Sequence, residues 1–481
     1  MRLPTRLIIT CLFATSVVAL TVRPALSDDL AEIVAGPVEK VIGDCKFTEG
    51  PAWHPAGFLL FSDIPNNRIL RVDVDGGASE WFKPSLGANG LMCDATGNVY
   101  VCQGEGRRVV RLQTGEGGRP AATGRVIASG FDGKPLNKPN DLALDGSGGV
   151  YFTDPNYRQD DATQPVEGVY YVSAEGDVTR VVDDLPRPNG VLVTDDGKSL
   201  LVANINEREI VRYPIEEPGR LGPGEVIFTG EEEADGRGPD GMALDAAGNI
   251  YATYKSVVVL NADGELIVRI EVPEKPANCT FGGDDGRTLY ITARTSLYAV
   301  PMKQSAVALR ESGPEGGDFI VRARELDLVI PSSWQAEEPS NRLRLAQFVI
   351  PGEDGNEEEA GEFVVFPPFG GSEEDNIERC VAQFDPEGRK LAMAQGEAPQ
   401  GKYILVQLDG TYFKPIGPPI QRKTVPTEGM RMLSVIFQAE SGGNYFLKLT
   451  GPEATVEAAA EAFRNSFGGD REAETEYTLP E

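Results

Sequence analysis

Histidine is almost missing from this chain: His54 is the only one in 481 residues. Ser-His-Asp and Cys-His chemistry, histidine-rich zinc centres and the His-Glu-x-x-His helix would all have to pass through that residue, which closes most of those routes. Basic residues are also short, with 45 Lys and Arg against 74 Asp and Glu, a formal charge of −29. Phosphate contacts need clustered cations, so no nucleic-acid partner is expected; solubility and cation-attracting pockets are. Cysteine is sparse. Cys11 lies in the N-terminal apolar run, and Cys45, Cys93, Cys102, Cys279 and Cys380 are too widely spaced, and odd in number, for a disulfide framework. Isolated buried thiols are expected, with one bridge between distant elements left open. Beyond the N-terminus no stretch is apolar enough to span a bilayer. What remains, 41% hydrophobic residues with 55 Gly and 35 Pro, suits one large β domain or two ordinary ones.

The first 27 residues read as an export signal. Arg2 and Arg6 form a positive start, Leu7 to Val22 is an apolar run, and Ala25-Leu26-Ser27 offers a small-x-small cleavage site. An uncleaved anchor is the alternative, and the run is short for a spanning helix. The expected location is therefore periplasmic or secreted, with cleavage after Ser27.

From residue 36 to 303 the chain repeats itself. An apolar run, an Asp/Gly turn and a second β-rich run recur in Gly50 to Asp63, Gly90 to Cys102, Asp141 to Asp154, Gly190 to Asn204, Gly241 to Thr253 and Gly282 to Thr292. The starts are 40, 51, 49, 51 and 41 residues apart, the period of four-stranded propeller blades. The Gly of each turn supplies the positive φ that a tight hairpin requires. The expectation is an all-β six-bladed β-propeller, closed by Val38 to Ile42 pairing with Leu297 to Pro301. The periodicity stops near Lys303. A Gly/Glu/Ser-rich linker over 304–320 is expected to lead into a smaller α+β domain over 321–481, with helices near 372–384 and 453–466. At fold level that domain resembles PsbP/Mog1-like sandwiches.

A propeller gathers the leading ends of its innermost strands around a central channel. At that position stand Glu49, Asn89, Asn140, Asn189, Asp240 and, in the last unit, Gly282. Each residue alone is a common turn former; repeated in phase they make a ring of hard oxygen donors suited to Ca²⁺ rather than to a thiolate- or imidazole-seeking metal. Mg²⁺, Mn²⁺ or Zn²⁺ can occupy such a ring too. Asp94, Asp145, Asp195, Asp196 and Asp245 lie later, in the hairpin turns, and read as structural.

The segments Glu49-Gly-Pro-Ala-Trp, Pro139-Asn-Asp with Tyr151-Phe-Thr-Asp-Pro, Pro188-Asn-Gly, Pro239-Asp-Gly-Met and Asn278-Cys-Thr-Phe resemble the gluconolactonase/regucalcin (senescence-marker protein) family across the whole repeat region. The resemblance implies a metal-dependent hydrolase of aldonolactones, with Glu49, Asn189 and Asp240 as ligands. Asn140 joins the metal set on the open side, where it meets substrate. It also implies Asp240 as the base, with Asp154 as a second candidate or an orienter. Lys138 stands where some animal members have Arg, so a flexible point charge replaces a planar fork in holding substrate. His54, in a His-Pro turn, reads as structural. Two other functions stay open: a non-enzymatic propeller with a structural ion, whose C-terminal domain contacts a protein or glycan, and an aryl esterase or phosphotriesterase using the same metal.

Overall fold

A computed structural model describes residues 28–479 except 158–161, 231–237, 311–312, 315, 353–355, 357–358, 369, 416–422 and 441. The N-terminal signal, residues 159–161 of the loop 159–166 and residues 231–237 of the loop 231–238 lie outside the described residues; the sequence carries no readable substrate code in either loop. No helix among the described residues is long and apolar enough to cross a membrane.

The repeat region is built from antiparallel sheets whose strands follow one another in sequence, a mostly β, propeller-like arrangement. Each Asp turn folds for a local reason. Asp94 Oδ1 accepts from the backbone N–H groups of Thr96 (3.0 Å) and Asn98 (2.9 Å), and the Tyr100 phenol donates to its Oδ2. Asp245 repeats this with Ala247, Asn249 and Tyr251, and Asp145 with Ser147, Gly149 and Tyr171. The structural reading of those carboxylates holds. Buried apolar side chains knit each sheet to the next. A cluster holding Leu59, Phe61 and Leu297 joins the first sheet to the last, where Glu39–Ile42 pairs with Ser296–Pro301 as expected.

The expectation of six alike four-stranded blades needs correction. Five sheets have four or five strands; residues 88–128 instead form part of a six-stranded sheet. Its two extra strands, Phe319–Ala323 and Leu326–Ile330, come from beyond the repeats, with Phe319, Ile320 and Val321 paired to Arg125, Gly124 and Thr123. The described residues of 304–320 are accordingly no free linker. Ser305 O accepts from Ala246 N (2.9 Å), Ala306 N donates to Gly286 O (2.8 Å), Arg310 O accepts from Ala95 N (2.7 Å), and the Arg310 guanidinium donates to Thr194 O (2.7 Å). Those partners belong to four different sheets, so the segment straps the end of the channel.

The C-terminal part is an eight-stranded antiparallel sheet with a helix on each face. Glu453–Phe467 buries Val456, Ala460 and Phe463 against one face, and Glu373–Val381 buries Ile377 and Cys380 against the other. A strand at Lys390–Ala398, whose alanines and charges carry little β signal, was not anticipated. Leu326, Leu328 and Ile330 pack into this core while their hairpin is hydrogen-bonded to the second sheet, so the two parts share an element. All five described cysteines are buried and unpaired.

Candidate functional site

In five of the six units the innermost strand begins with an oxygen-bearing residue followed by one that touches the neighbouring strand. Gly90 N donates to Asn140 O (2.7 Å) and Gly241 N to Ala277 O (2.8 Å). A Cβ on Gly190 would lie 2.3 Å from Asp240 O, and one on Gly50 would lie 2.1 Å from Asn89 O. Glycine is therefore required after Glu49, Asn89, Asn189 and Asp240, because the next strand occupies the side-chain space, with its backbone beside Gly50 and Gly190, backbone and the Asp141 carboxylate beside Gly90, and the Asn278 side chain beside Gly241. Two units break the rule, placing Asp141 and Asn278 there, with their side chains in the volume beside Gly90 and Gly241. The hydrogen bond from Gly241 puts Ala277, not Gly282, in phase in the last unit. Gly282 lies at the far end of its strand against the Trp53 ring. That sequence assignment was five residues out of register.

Glu49, Asn89, Asn140, Asn189 and Asp240 line one cavity of about 460 Å³, together with Lys138, a volume suited to a small ligand. Asp240 is close enough for its charge to act on Glu49. Burial, then the charge of Asp240, then that of Asp141, raise the Glu49 pKa well above the usual carboxylate range; the Gly50 N–H and the Asn278 side chain oppose this. Asp240 is pushed up to about 7, by burial and then by Asp141, with Asn189 and Lys275 pulling the other way. Burial also takes Asp141 to about 7. Three enclosed carboxyls, each disfavoured as an anion, make a locus that a cation stabilises. Two carboxylates with carboxamide oxygens are the donor set of a hard divalent ion. Among the described residues, no group of three or more His, Cys, Asp or Glu is arranged to hold a metal ion, so a cation here depends on the asparagines.

Lys138 Nζ lies 3.3 Å from Glu105 Oε1 inside the same cavity, which steadies the point charge. Asp154 is elsewhere. It is fully buried outside the cavity lining, and its Oδ2 accepts from Asn137 N at 2.8 Å. That contact holds the loop carrying Lys138 and Asn140, so an orienting role fits and a base acting on substrate does not. His54 is buried, stacked on Phe58 at 4.2 Å, with Nε2 3.0 Å from Gly97 O and Nδ1 accepting from Ala56 N. Burial lowers its pKa, as expected of a structural residue.

Sequence reasoning missed Asp141, Asn278 and Tyr157. The Asn189 carboxamide donates from Nδ2 to the Tyr157 hydroxyl at 2.6 Å, which fixes its rotation inside the cavity. Asp141 had a readable signal, as the only carboxylate where four other units carry glycine.

Residues 47–295 match the SMP-30/gluconolactonase/LRE-like region, more than half of the chain. The chain belongs to this family. A gluconolactonase of Zymomonas mobilis subsp. mobilis is 31% identical over 300 residues, covering 56% of this chain and 82% of the relative. The pentonolactonase XacC of Haloferax volcanii is 28% identical over 257 residues, covering 52% and 81%. Among solved structures, a gluconolactonase from Xanthomonas campestris superposes with a TM-score of 0.52 at 26% identity, covering 58% of this chain and 93% of the other. The SMP-30/gluconolactonase match ends at residue 295, before the strap and the eight-stranded sheet.

Proposed function

We propose that this chain is a metal-dependent lactone hydrolase that opens a sugar lactone such as an aldonolactone, on a sixfold ring of inner strands. The single observation that carries the reading is the enclosure of Glu49 and Asp240 with Asn140 and Asn189 in one ligand-sized cavity, in a chain whose family relatives are named lactonases. Glu49, Asn189 and Asp240, with Asn140 on the open side, would hold Ca²⁺, and Mg²⁺, Mn²⁺ or Zn²⁺ suit the same oxygens. A divalent ion there supplies positive charge beside the lactone carbonyl and the oxyanion that develops from it.

The chain's own residues do the rest. Lys138 and Asn140 orient the lactone hydroxyls, converting an encounter into a positioned reaction. Asp240 takes a proton from the attacking water at a carboxylate oxygen. As the ring C–O bond breaks, that proton returns to the leaving alkoxide and the hydroxy acid departs. Tyr157 keeps the Asn189 carboxamide in place, and Asp154 keeps the loop of Lys138 and Asn140 in place. Residues 1–27 would direct the chain to the periplasm or outside the cell.

The test is hydrolysis of glucono-δ-lactone, an aryl ester and a phosphotriester, with and without a chelator. Lactone opening that EDTA abolishes and Ca²⁺ restores is expected. Glu49→Gln and Asp240→Asn should each cost at least ~100-fold in kcat/KM. Unchanged turnover in both variants would end the metal-centred reading. Preferred turnover of the aryl ester or phosphotriester moves the assignment there, and Ca²⁺ binding with no turnover leaves a binding propeller.

A further inference from the structure

The cavity has an acidic floor, yet three cationic side chains also line it: Lys138, Lys275 and Arg294. In a chain with a formal charge of −29, that concentration of positive charge is not a compositional accident. Lys138 is paired with Glu105. Lys275 and Arg294 come from the last sheet of the ring and are held together by a neighbour. Arg294 sits at the hairpin tip between Thr288–Ala293 and Ser296–Pro301, in the left-handed region with φ of 49°. Its carbonyl is anchored by Thr48 N at 2.8 Å. Lys275 precedes the strand Pro276–Gly282.

Between these two segments lies the Glu274 carboxylate. It accepts from Thr295 N (3.0 Å), Thr295 Oγ1 (2.9 Å), Tyr298 Oη (2.9 Å) and the Ser296 hydroxyl. Those bonds, with Lys40 at 3.0 Å, keep Glu274 ionised, its pKa lowered to about 2. Glu274 thus clamps the Lys275 loop onto the Arg294 hairpin, fixing both backbones at the cavity wall. The Arg294 side chain is exposed, and Lys275 contributes positive charge as far as Asp240.

We propose that the lactone opened at this site carries a second, anionic end, a carboxylate, which Lys275 and Arg294 receive while the carbonyl lies over Asp240. This rests on the lactonase reading. A guanidinium fork matches a carboxylate in plane and number of donors, and the Lys275 ammonium adds a point charge in the same cavity. A neutral polyol would use the hydrogen bonds of such a wall but gain nothing from its charge. The substrate class is then the lactone of a sugar diacid rather than of a simple aldonic acid.

Glucono-γ-lactone and glucaro-γ-lactone differ only in a hydroxymethyl or a carboxylate at the end away from the ring, so they isolate the charge. The full-length chain should show a kcat/KM at least about tenfold higher for the glucaro compound. That advantage should shrink as ionic strength rises from about 0.05 to 0.5 M, because partly exposed charges are screened. In Lys275→Gln, in Arg294→Gln and in the double variant, each checked for an unchanged Tm, the glucaro-to-gluconic ratio should fall toward one. Equal rates in the unaltered chain, or a ratio unmoved by the double variant, overturn this inference and leave the lactonase reading intact. Opening of neither γ-lactone overturns it too, and the δ-lactone assay above then shows whether the lactonase reading stands.

Discussion

Gly190→Ala is the sharpest probe of how the ring is held. Gly190 follows Asn189 on an inner strand, and its φ is not positive, so alanine brings no backbone strain of its own. Its Cβ would stand 2.3 Å from the carbonyl oxygen of Asp240, 3.2 Å from the carbonyl carbon and 3.0 Å from Gly241 Cα. Backbone atoms cannot rotate away as a side chain does. The neighbouring strand must retreat by roughly 1 Å to restore van der Waals contact, and overpacking of that kind costs about 1–3 kcal/mol. Asp240 sits on the retreating backbone. A displacement of about 1 Å in a positioned group typically costs about 100-fold in rate. The expected result is kcat/KM for a lactone down by about 100-fold, weaker Ca²⁺ affinity, and a Tm lowered by only a few degrees. Gly317→Ala is the control, since no heavy atom lies within 4 Å of the place its new methyl would occupy and its φ is not positive. Gly190→Ala with unaltered kcat/KM and Ca²⁺ affinity would refute the claim that backbone contact between neighbouring strands sets the donor geometry.

Two further outcomes follow from other parts of the molecule. Burial raises Asp141 from 3.8 to about 7, so between those values the folded chain holds a proton that the unfolded chain releases. In chelator, Asp141 should therefore cost the native state up to about 4 kcal/mol as pH rises through that window, and Asp141→Asn should escape that share while keeping the losses due to Glu49 and Asp240. Urea unfolding at pH 5 and 8 that gives the same stability gap between the two proteins contradicts this. A chain ending at Lys303 keeps every residue of the family match but loses Ile320, which is buried in the core of the first and second sheets, and the strap over 305–310. Deleting one such side chain costs about 2–5 kcal/mol, so the truncated chain should melt well below the full one or fail to stay soluble; an unchanged Tm would show the two parts to be independent.

What the sequence made legible depended on whether the signal was local. Hairpin turns were readable because Asp94, Asp145 and Asp245 each satisfy backbone donors two and four residues on. The donor ring was readable because four units share an oxygen-bearing residue followed by Gly. The last unit lacked both marks, having Ala277 and Asn278, and the nearest glycine, Gly282, drew the register to the wrong place. Asp154 stayed open between base and orienter for a related reason: a carboxylate beside Pro at a strand end looks the same whether it faces the channel or, as here, the backbone of Asn137. Contacts between units left fainter traces. Ser62, Thr153 and Thr253 each donate a hydroxyl to the in-phase carbonyl of the following unit, at Asn89, Asn189 and Ala277. Those hydroxyls recur at one place on the second strand, a pattern visible only once the ring is known.

The recruitment of 319–330 to the second sheet has a cause that the sequence did hold. Outer strands elsewhere in the ring, Ala78–Phe82, Val178–Val182, Glu225–Thr229 and Leu266–Ile270, are five residues long and mostly exposed or half-buried. Short, charged edges of that kind resist further pairing. Pro120–Ala128 runs for nine residues. A strand of that length leaves a row of unpaired N–H and C=O groups and, at Val126, Ile127 and Ala128, apolar side chains that need cover. Phe319–Ala323 meets the first need through its pairing with Thr123–Arg125, and Ile320 helps to meet the second. The appended domain is thus joined at the one outer edge that was not closed to addition. The path from Lys303 to that edge crosses the channel end, where Ala306 to Arg310 line a second cavity distinct from that of Glu49 and Asp240, so the same connection that docks the domain also covers that end of the ring.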